Sequence, residues 1–216
     1  MEIENKGWKI YQIILGVIVI ILIITACVLK VTMKKDEEYY NEKNILDKKD
    51  ALILGENKYS NFLFLTTGRE ILINDYLISS EFNDKVNCDY YSDDSIDGYY
   101  CYYDNLDDVF NKLFYKEIDK KSIFTYNISG EGISLKDNNY VDYFDDRNYY
   151  SMENVKLTVK SIRENYIEYN ASYDLFNNEL GLVEKTESDI FSIIKEDNTW
   201  KIKEGSFLTW SGKIKI

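Results

Sequence analysis

Three Cys, twenty Tyr and no His set the chemistry open to this chain of 216 residues. Without His there is no Ser-His-Asp or Cys-His triad, no HExxH zinc protease and no ordinary imidazole metal site. No GxSxG, GxxxxGK[ST] or GxGxxG segment occurs either. A Cys nucleophile would lack its base. The 38 Asp and Glu guarantee carboxylate pairs by number alone, so no pair singles itself out as a glycosidase site. The reading is therefore a non-enzyme: no catalytic residues, no cofactor and no metal ligands.

What remains is a small set of binding and cross-linking candidates. Cys88 and Cys101 bracket a turn at Ser92–Gly98. On neighbouring strands in an oxidising compartment they can form a disulfide, worth up to ~3 kcal/mol by the chain-entropy estimate; the alternative is two buried thiols. Asp93, Ser95, Asp97 and Gly98, with Asp104, fall where a calcium loop places its first ligands, its glycine and its last ligand. Yet that last position is Asp rather than Glu, and Tyr99–Tyr103 has strand character, so an acidic hairpin turn is the better reading. Asp142, Asp145 and Asp146 form an acidic loop edge that could lure a basic groove on a partner. Tyr comes in pairs, at 90–91, 99–100, 102–103 and 149–150. In a strand each pair sends one ring to each face, so one can be core and the other part of a binding surface. Tyr149 and Tyr150 adjoin the acidic loop and are joined to it as partner-binding candidates.

The elements that would carry these residues begin with a candidate anchor. Ile10–Leu29 is uncharged over 20 residues, enough at ~1.5 Å per residue to cross a hydrocarbon core of ~30 Å. Lys6, Lys9, Lys30, Lys34 and Lys35 flank it, with Trp8 and Tyr11 at one end. The expectation is a transmembrane helix at 10–29, a cytoplasmic tail at 1–9, a stalk at 30–47 and an extracytoplasmic domain at 48–216. The flanking Lys, two before and three after, do not orient the span; the short tail and the acidic, Cys-bearing remainder place the domain outside. Within the run, Ile24-Thr25-Ala26-Cys27 resembles a bacterial lipobox, which makes Cys27 the alternative, lipidated anchor.

The chain carries 26 Lys and Arg against 38 Asp and Glu, for a net charge of −12. Its first 35 residues hold five Lys and two Glu, +3, so the remainder carries −15. Nucleic acid, which needs clustered cations, is excluded as a partner. The expected partners are the membrane and an envelope protein or cell-wall glycan.

Within 48–216 a helix is predicted from about Asp47 to Thr67, burying Leu52, Ile53, Tyr59, Leu63 and Phe64 and stopping at Gly68. Leu106, Val109, Phe110, Leu113 and Phe114 keep strict helical spacing behind Asp104 or Asn105 as a cap. A short helix is expected near Lys120–Phe124. Alternation then takes over: Ile133 and Leu135; Tyr140–Phe144; Val155, Leu157 and Val159; Ile167, Tyr169, Ala171 and Tyr173; Glu184–Lys195; and Trp200–Lys203. Helices first and alternating strands afterwards predict an α+β domain, with helices packed on an antiparallel meander sheet.

Two stretches carry a resemblance. Gly98-Tyr99-Tyr100-Cys101-Tyr102-Tyr103 leads into the Asp104–Lys116 helix and the Tyr126–Tyr143 hairpin. Val155–Tyr173 leads to Ile190–Ile202, closing on Trp200-Lys201-Ile202. This order resembles extracytoplasmic cystatin-like and nuclear-transport-factor-2-like domains, and over about 86–208 the bacterial secreted inhibitors of cell-wall DL-endopeptidases. The resemblance implies a cystatin-like fold and inhibition through an acidic loop, here Asp142, Asp145 and Asp146. The family's glycine-rich segment there is replaced by Asp145–Tyr150. The low-Pro, Asn-, Lys-, Ile- and Tyr-rich composition resembles that of bacteria with AT-rich genomes. The expected function is a membrane-anchored, non-catalytic envelope protein, by that resemblance a cell-wall hydrolase inhibitor. The alternatives are a carboxylate-dependent glycan hydrolase and a structural accessory subunit.

Overall fold

The computed structural model describes residues 14–28, 30, 45–93, 96–124, 133–135, 137–145, 150–177, 179–209 and 212–216, with backbone only at 93, 96, 97, 144, 145, 150, 208, 209 and 212–214. The chain divides into two compact units, Met1–Asp47 and Lys48–Ile216. In the first, residues 14–28 are helical (α1), and their side chains are exposed. At ~1.5 Å per residue this stretch is about 22 Å long. Among the described residues no helix is long and apolar enough to cross a membrane. That finding overturns the transmembrane helix expected over Ile10–Leu29, of which residues 10–13 and 29 lie outside the described residues.

The second unit opens with α2, Lys48–Thr67. Gly68 ends it in the left-handed region (φ +70°), its N–H bonded to Phe64 O at 2.8 Å. Tyr59, Leu63 and Phe64 are buried as predicted, but Ile53 is exposed. The inward stripe at that end is Ala51, Gly55 and Tyr59 instead. These small residues bring the helix close to a sheet. An added Cβ at Gly55 would lie 2.3 Å from the Tyr169 ring, and the Tyr169 hydroxyl donates to Ala51 O at 2.7 Å.

Next come β1 (Leu72–Ile73) and β2 (Tyr76–Leu77), then a 3-10 turn at Asn83–Lys85. Asn74 and Asp75, both at positive φ, make the tight turn between β1 and β2. β3 (Val86–Asp93) and β4 (Ile96–Tyr103) follow, then α3 (Leu106–Leu113), α4 (Lys120–Phe124), β5 (Ile133–Leu135) and β6 (Tyr140–Asp145). The long strands are β7 (Tyr150–Arg163), β8 (Tyr166–Asn177) and β9 (Leu182–Glu196), followed by β10 (Thr199–Glu204), β11 (Ser206–Thr209) and β12 (Gly212–Lys215).

The strands form a six-stranded sheet in the order β10-β9-β8-β7-β1-β2, a four-stranded sheet in the order β3-β4-β6-β5, and the β11–β12 hairpin. The expected helices on a simple antiparallel meander, and with them the cystatin-like layout, are overturned on two counts. The described chain is mostly strand, and the large sheet is mixed, because β1 joins β7 in parallel at Ile73 and Val155. Asn74 makes that join. Its side chain accepts from Leu157 N at 3.0 Å, donates to Leu157 O at 3.0 Å, and donates to Glu56 of α2 at 2.6 Å.

The core lies where α2 meets the six-stranded sheet. Tyr59 packs on Phe191 at 4.8 Å between ring centroids, Tyr169 on Phe191 at 5.6 Å, and Phe62 on Phe207 at 5.8 Å. α3 buries Leu106, Val109, Phe110 and Leu113 on the predicted stripe; Asn105 caps it by accepting from Asp108 N at 3.1 Å. Phe114 and Tyr115 then meet the outer edge of β10 at Ile202.

Two outcomes follow from this packing. Gly55→Ala gains ~1 kcal/mol of helix propensity but drives a methyl into a buried ring, an overpacking cost of ~1–3 kcal/mol. A net loss of about 1 kcal/mol is expected, read as a lower urea midpoint. Burial pushes the hydroxyls of Tyr59, Tyr103, Tyr143 and Tyr169 above their ordinary range, and Tyr173 up to about 12. The unfolded chain ionises from about pH 10, so stability is complete below that pH and falls as pH rises toward the folded values. The decline approaches ~1.4 kcal/mol per pH unit for each such Tyr. Phenolate absorbance of this buried set is expected to rise together with loss of the circular-dichroism signal, not as independent titrations.

Candidate functional site

Cys88, Cys101, Asp142 and the tyrosine pairs at 90–91, 99–100 and 102–103 all lie on the four-stranded sheet. β3 and β4 pair antiparallel in unbroken register from Val86↔Tyr103 to Asp93↔Ile96. Cys88 and Cys101 face each other and are disulfide-bonded, with Cα atoms 4.0 Å apart. Asp93↔Ile96 pairing makes the would-be calcium segment a hairpin; Asp94 and Ser95 lie outside the described residues, as do the side chains of Asp93 and Asp97. Among the described residues no group of three or more metal-ligating side chains occurs.

The inner face of this sheet carries Tyr103, Cys101, Val141, Tyr143 and Ile133, all buried. Two hydroxyls fix it to α2. Tyr143 Oη donates to Leu65 O at 2.7 Å, and its oxygen lies 2.9 Å from Tyr103 Oη. The single Tyr143 proton is spent on the carbonyl, so Tyr103 is the donor to Tyr143.

The outer face is a tyrosine surface around one carboxylate. Tyr91 stacks on Tyr100 at 4.3 Å, and Tyr100 meets Tyr140 at 5.7 Å. Asp142 stands beside Tyr100 in register and is fully buried. Tyr91 Oη donates to Asp142 Oδ1 at 3.3 Å. Burial first, and then the neighbouring Asp142 charge, raise the Tyr91 hydroxyl above its ordinary range. Gly98 makes this contact possible. It sits opposite Tyr91, and an added Cβ would lie 2.4 Å from Tyr91 Oη and 2.5 Å from Tyr143 O. Tyr102 is 45% exposed and Tyr90 55%, so the hairpin offers rings to solvent from both faces.

Asp142 is thus the buried centre of the tyrosine face rather than a solvent-facing lure. Asp145 closes β6, with its side chain outside the described residues; Asp146 and Tyr149 lie outside them altogether. Tyr150 opens β7, its side chain likewise undescribed. Cys27 is a free, exposed thiol on α1. Sequence reasoning missed Gly98 and the Tyr91–Asp142 contact. The signal was there: pairing Cys88 with Cys101 sets Tyr91 opposite Gly98 by counting three residues along each strand.

Elsewhere, a cleft of about 560 Å³ lies between β9, β11 and β12. Its carboxylates are already engaged. Ser206 donates to Asp189, which also lies 3.8 Å from Lys215 Nζ, and Ser192 donates to Glu204 at 3.4 Å. Set against known protein families, curated proteins and solved structures, the chain matches none.

The Cys88–Cys101 bond staples a hairpin that the strand ladder and tyrosine stacks already hold. Replacing both by Ala is expected to lower unfolding stability by about 2 kcal/mol, within the ~3 kcal/mol allowed for a loop of this size. Denaturant melts of the oxidised wild type, the reduced wild type and the double variant check it; the last two should nearly coincide.

Proposed function

We propose that this chain is a non-catalytic binding protein of an oxidising, extracytoplasmic compartment, and that it recognises a protein partner through the tyrosine face of its four-stranded sheet. One observation carries the reading: Tyr91 stacks on Tyr100, and Tyr140 of β6 tilts against Tyr100, in a pre-ordered surface around Asp142 beside a hairpin held by a disulfide. Tyr rings present large amphipathic area at low entropic cost, and rings already stacked lose little more freedom on contact. The disulfide favours a compartment outside the reducing cytosol. Asp142, being buried beneath this surface, acts as an internal anchor for Tyr91 rather than as the contacting group.

The test uses the purified full-length chain, immobilised and exposed to envelope proteins and to isolated cell-wall fragments. Retention of a defined envelope protein is expected, weakened about tenfold by Tyr102→Ala combined with Tyr100→Ala, the usual scale of an aromatic interface anchor. Retention of wall fragments alone would reassign the partner to glycan. Clearing of a cell-wall gel by the pure chain would replace the binding reading with a hydrolase.

A further inference from the structure

The four-stranded sheet also ends in an open edge. β3 is its outermost strand, and among the described residues no strand lies beyond it. The other sheet ends are short or covered. β2 has two residues, β5 has three among the described residues, and the outer side of β10 receives Phe114 and the Tyr115 N–H, bonded to Ile202 O at 2.8 Å. β3 runs eight residues without a register shift, and it contains no Lys, no Pro and no bulge. Those are the usual devices that blunt an edge against pairing.

The direction of its backbone groups follows from spacing. In an antiparallel pair, facing residues alternate between those that exchange two hydrogen bonds, ~5.5 Å apart at Cα, and those that exchange none, ~4.5 Å apart. Cys88 and Cys101, at 4.0 Å, belong to the second kind. The flanking bonds agree: Tyr103 N–H turns away from β3 to Asn139 O at 2.9 Å, while Asp104 N–H reaches Lys85 O at 3.2 Å. Val86, Cys88, Tyr90 and Ser92 therefore aim their N–H and C=O groups away from β4, toward the open side. Cys88 and Ser92 are exposed there.

Charge selects the occupant. Residues 86–103 contain four Asp and neither Lys nor Arg, and Asp89 is exposed. A second copy would set another four Asp against these, an unfavourable like-charge pairing. We propose that β3 accepts an extended Lys- or Arg-rich segment of a partner protein as a fifth strand, with main-chain hydrogen bonds holding it and Asp89 favouring its cations. This rests on the binding role proposed above and specifies the kind of partner.

The experiment follows amide hydrogen exchange in the full-length chain with a short peptide alternating Lys and Thr. The amides of Cys88 and Ser92, which point to the open side, are expected to exchange fast in the free protein and to slow at least about tenfold with the peptide. Asp89 and Tyr91, already bonded to β4, change little. The same peptide with Pro in place of alternate Thr keeps its charge but loses donors, and is expected to protect neither amide. Ser92→Pro removes an outward donor while sparing the ladder, and Asp89→Lys reverses the charge; each is expected to weaken binding about tenfold. If Ser92→Pro does not fold, Asp89→Lys and the Pro peptide still decide. Absence of protection at Cys88 and Ser92, equal binding of the Pro peptide, or protection that grows with protein concentration alone would overturn strand addition. Ring resonances of Tyr100 and Tyr102 report separately on the tyrosine face, so the broader binding role can survive the loss of this one.

Discussion

Helix α2 is gripped through its own backbone by tyrosines from both large sheets. Tyr169 of the six-stranded sheet donates to Ala51 O near one end, and Tyr143 of the four-stranded sheet donates to Leu65 O near the other. Leu65 lies in the last turn, where carbonyls have no partner within the helix, so the Tyr143 bond satisfies a group that would otherwise be left wanting. Ala51 O is different: by helix geometry it already serves the Gly55 N–H, and Tyr169 adds a second donor. That second bond is possible only because position 55 has no side chain. One glycine and two hydroxyls thus fix the helix against two sheets that share no strand. The aromatic core of Tyr59, Phe62, Phe191 and Phe207 fills the space so defined.

The tyrosine face of the four-stranded sheet inherits its order from the same clamp. Tyr143, Tyr103 and Cys101 fix the inner face of the hairpin, so Tyr91, Tyr100 and Asp142 on the outer face stand on a rigid base. A surface of this kind meets a partner with its rings already placed, and a buried carboxylate can orient a phenol without being exposed to competing ions.

Parts of this arrangement were legible in the sequence and parts were not. α3 is legible from five apolar residues at helical spacing, with Asp104 or Asn105 as its cap; Asn105 is the cap, and the helix stops at Leu113, short of Lys116, where Phe114 turns extended to meet β10. The β7–β8–β9–β10 hairpins could be read from alternation, and the Asp197–Asn198 turn, both residues at positive φ, fits the residue types. The β1–β2 hairpin could not, since two-residue strands carry no periodicity and the parallel docking of β1 on β7 is a tertiary event. Ile53 was misplaced because hydrophobicity was weighed above size: the helix approaches the sheet along Ala51 and Gly55, where smallness decides. Asp142 was misread for a related reason. Its place in an acidic run predicts a solvent-facing loop edge, but Asp142 lies within β6, where tyrosines from the neighbouring strands cover it. The apolar run near the start reads as a span by composition, whereas among the described residues no helix is long and apolar enough to cross a membrane.

The Asn74 junction has a consequence for how the chain reaches this state. Its side chain meets Leu157, 83 residues further along, and no turn or hairpin brings the two together early. Local hairpins such as β7–β8 and β8–β9 can form within microseconds to milliseconds, whereas the parallel join must wait for the distant strand and meet the full cost of closing that long loop. Loop-closure entropy thus disfavours this seam as an early event in assembly. On a ribosome, α2 and the β1–β2 turn emerge well before Leu157 is made, so the oldest part of this domain spends the longest time without its docking site.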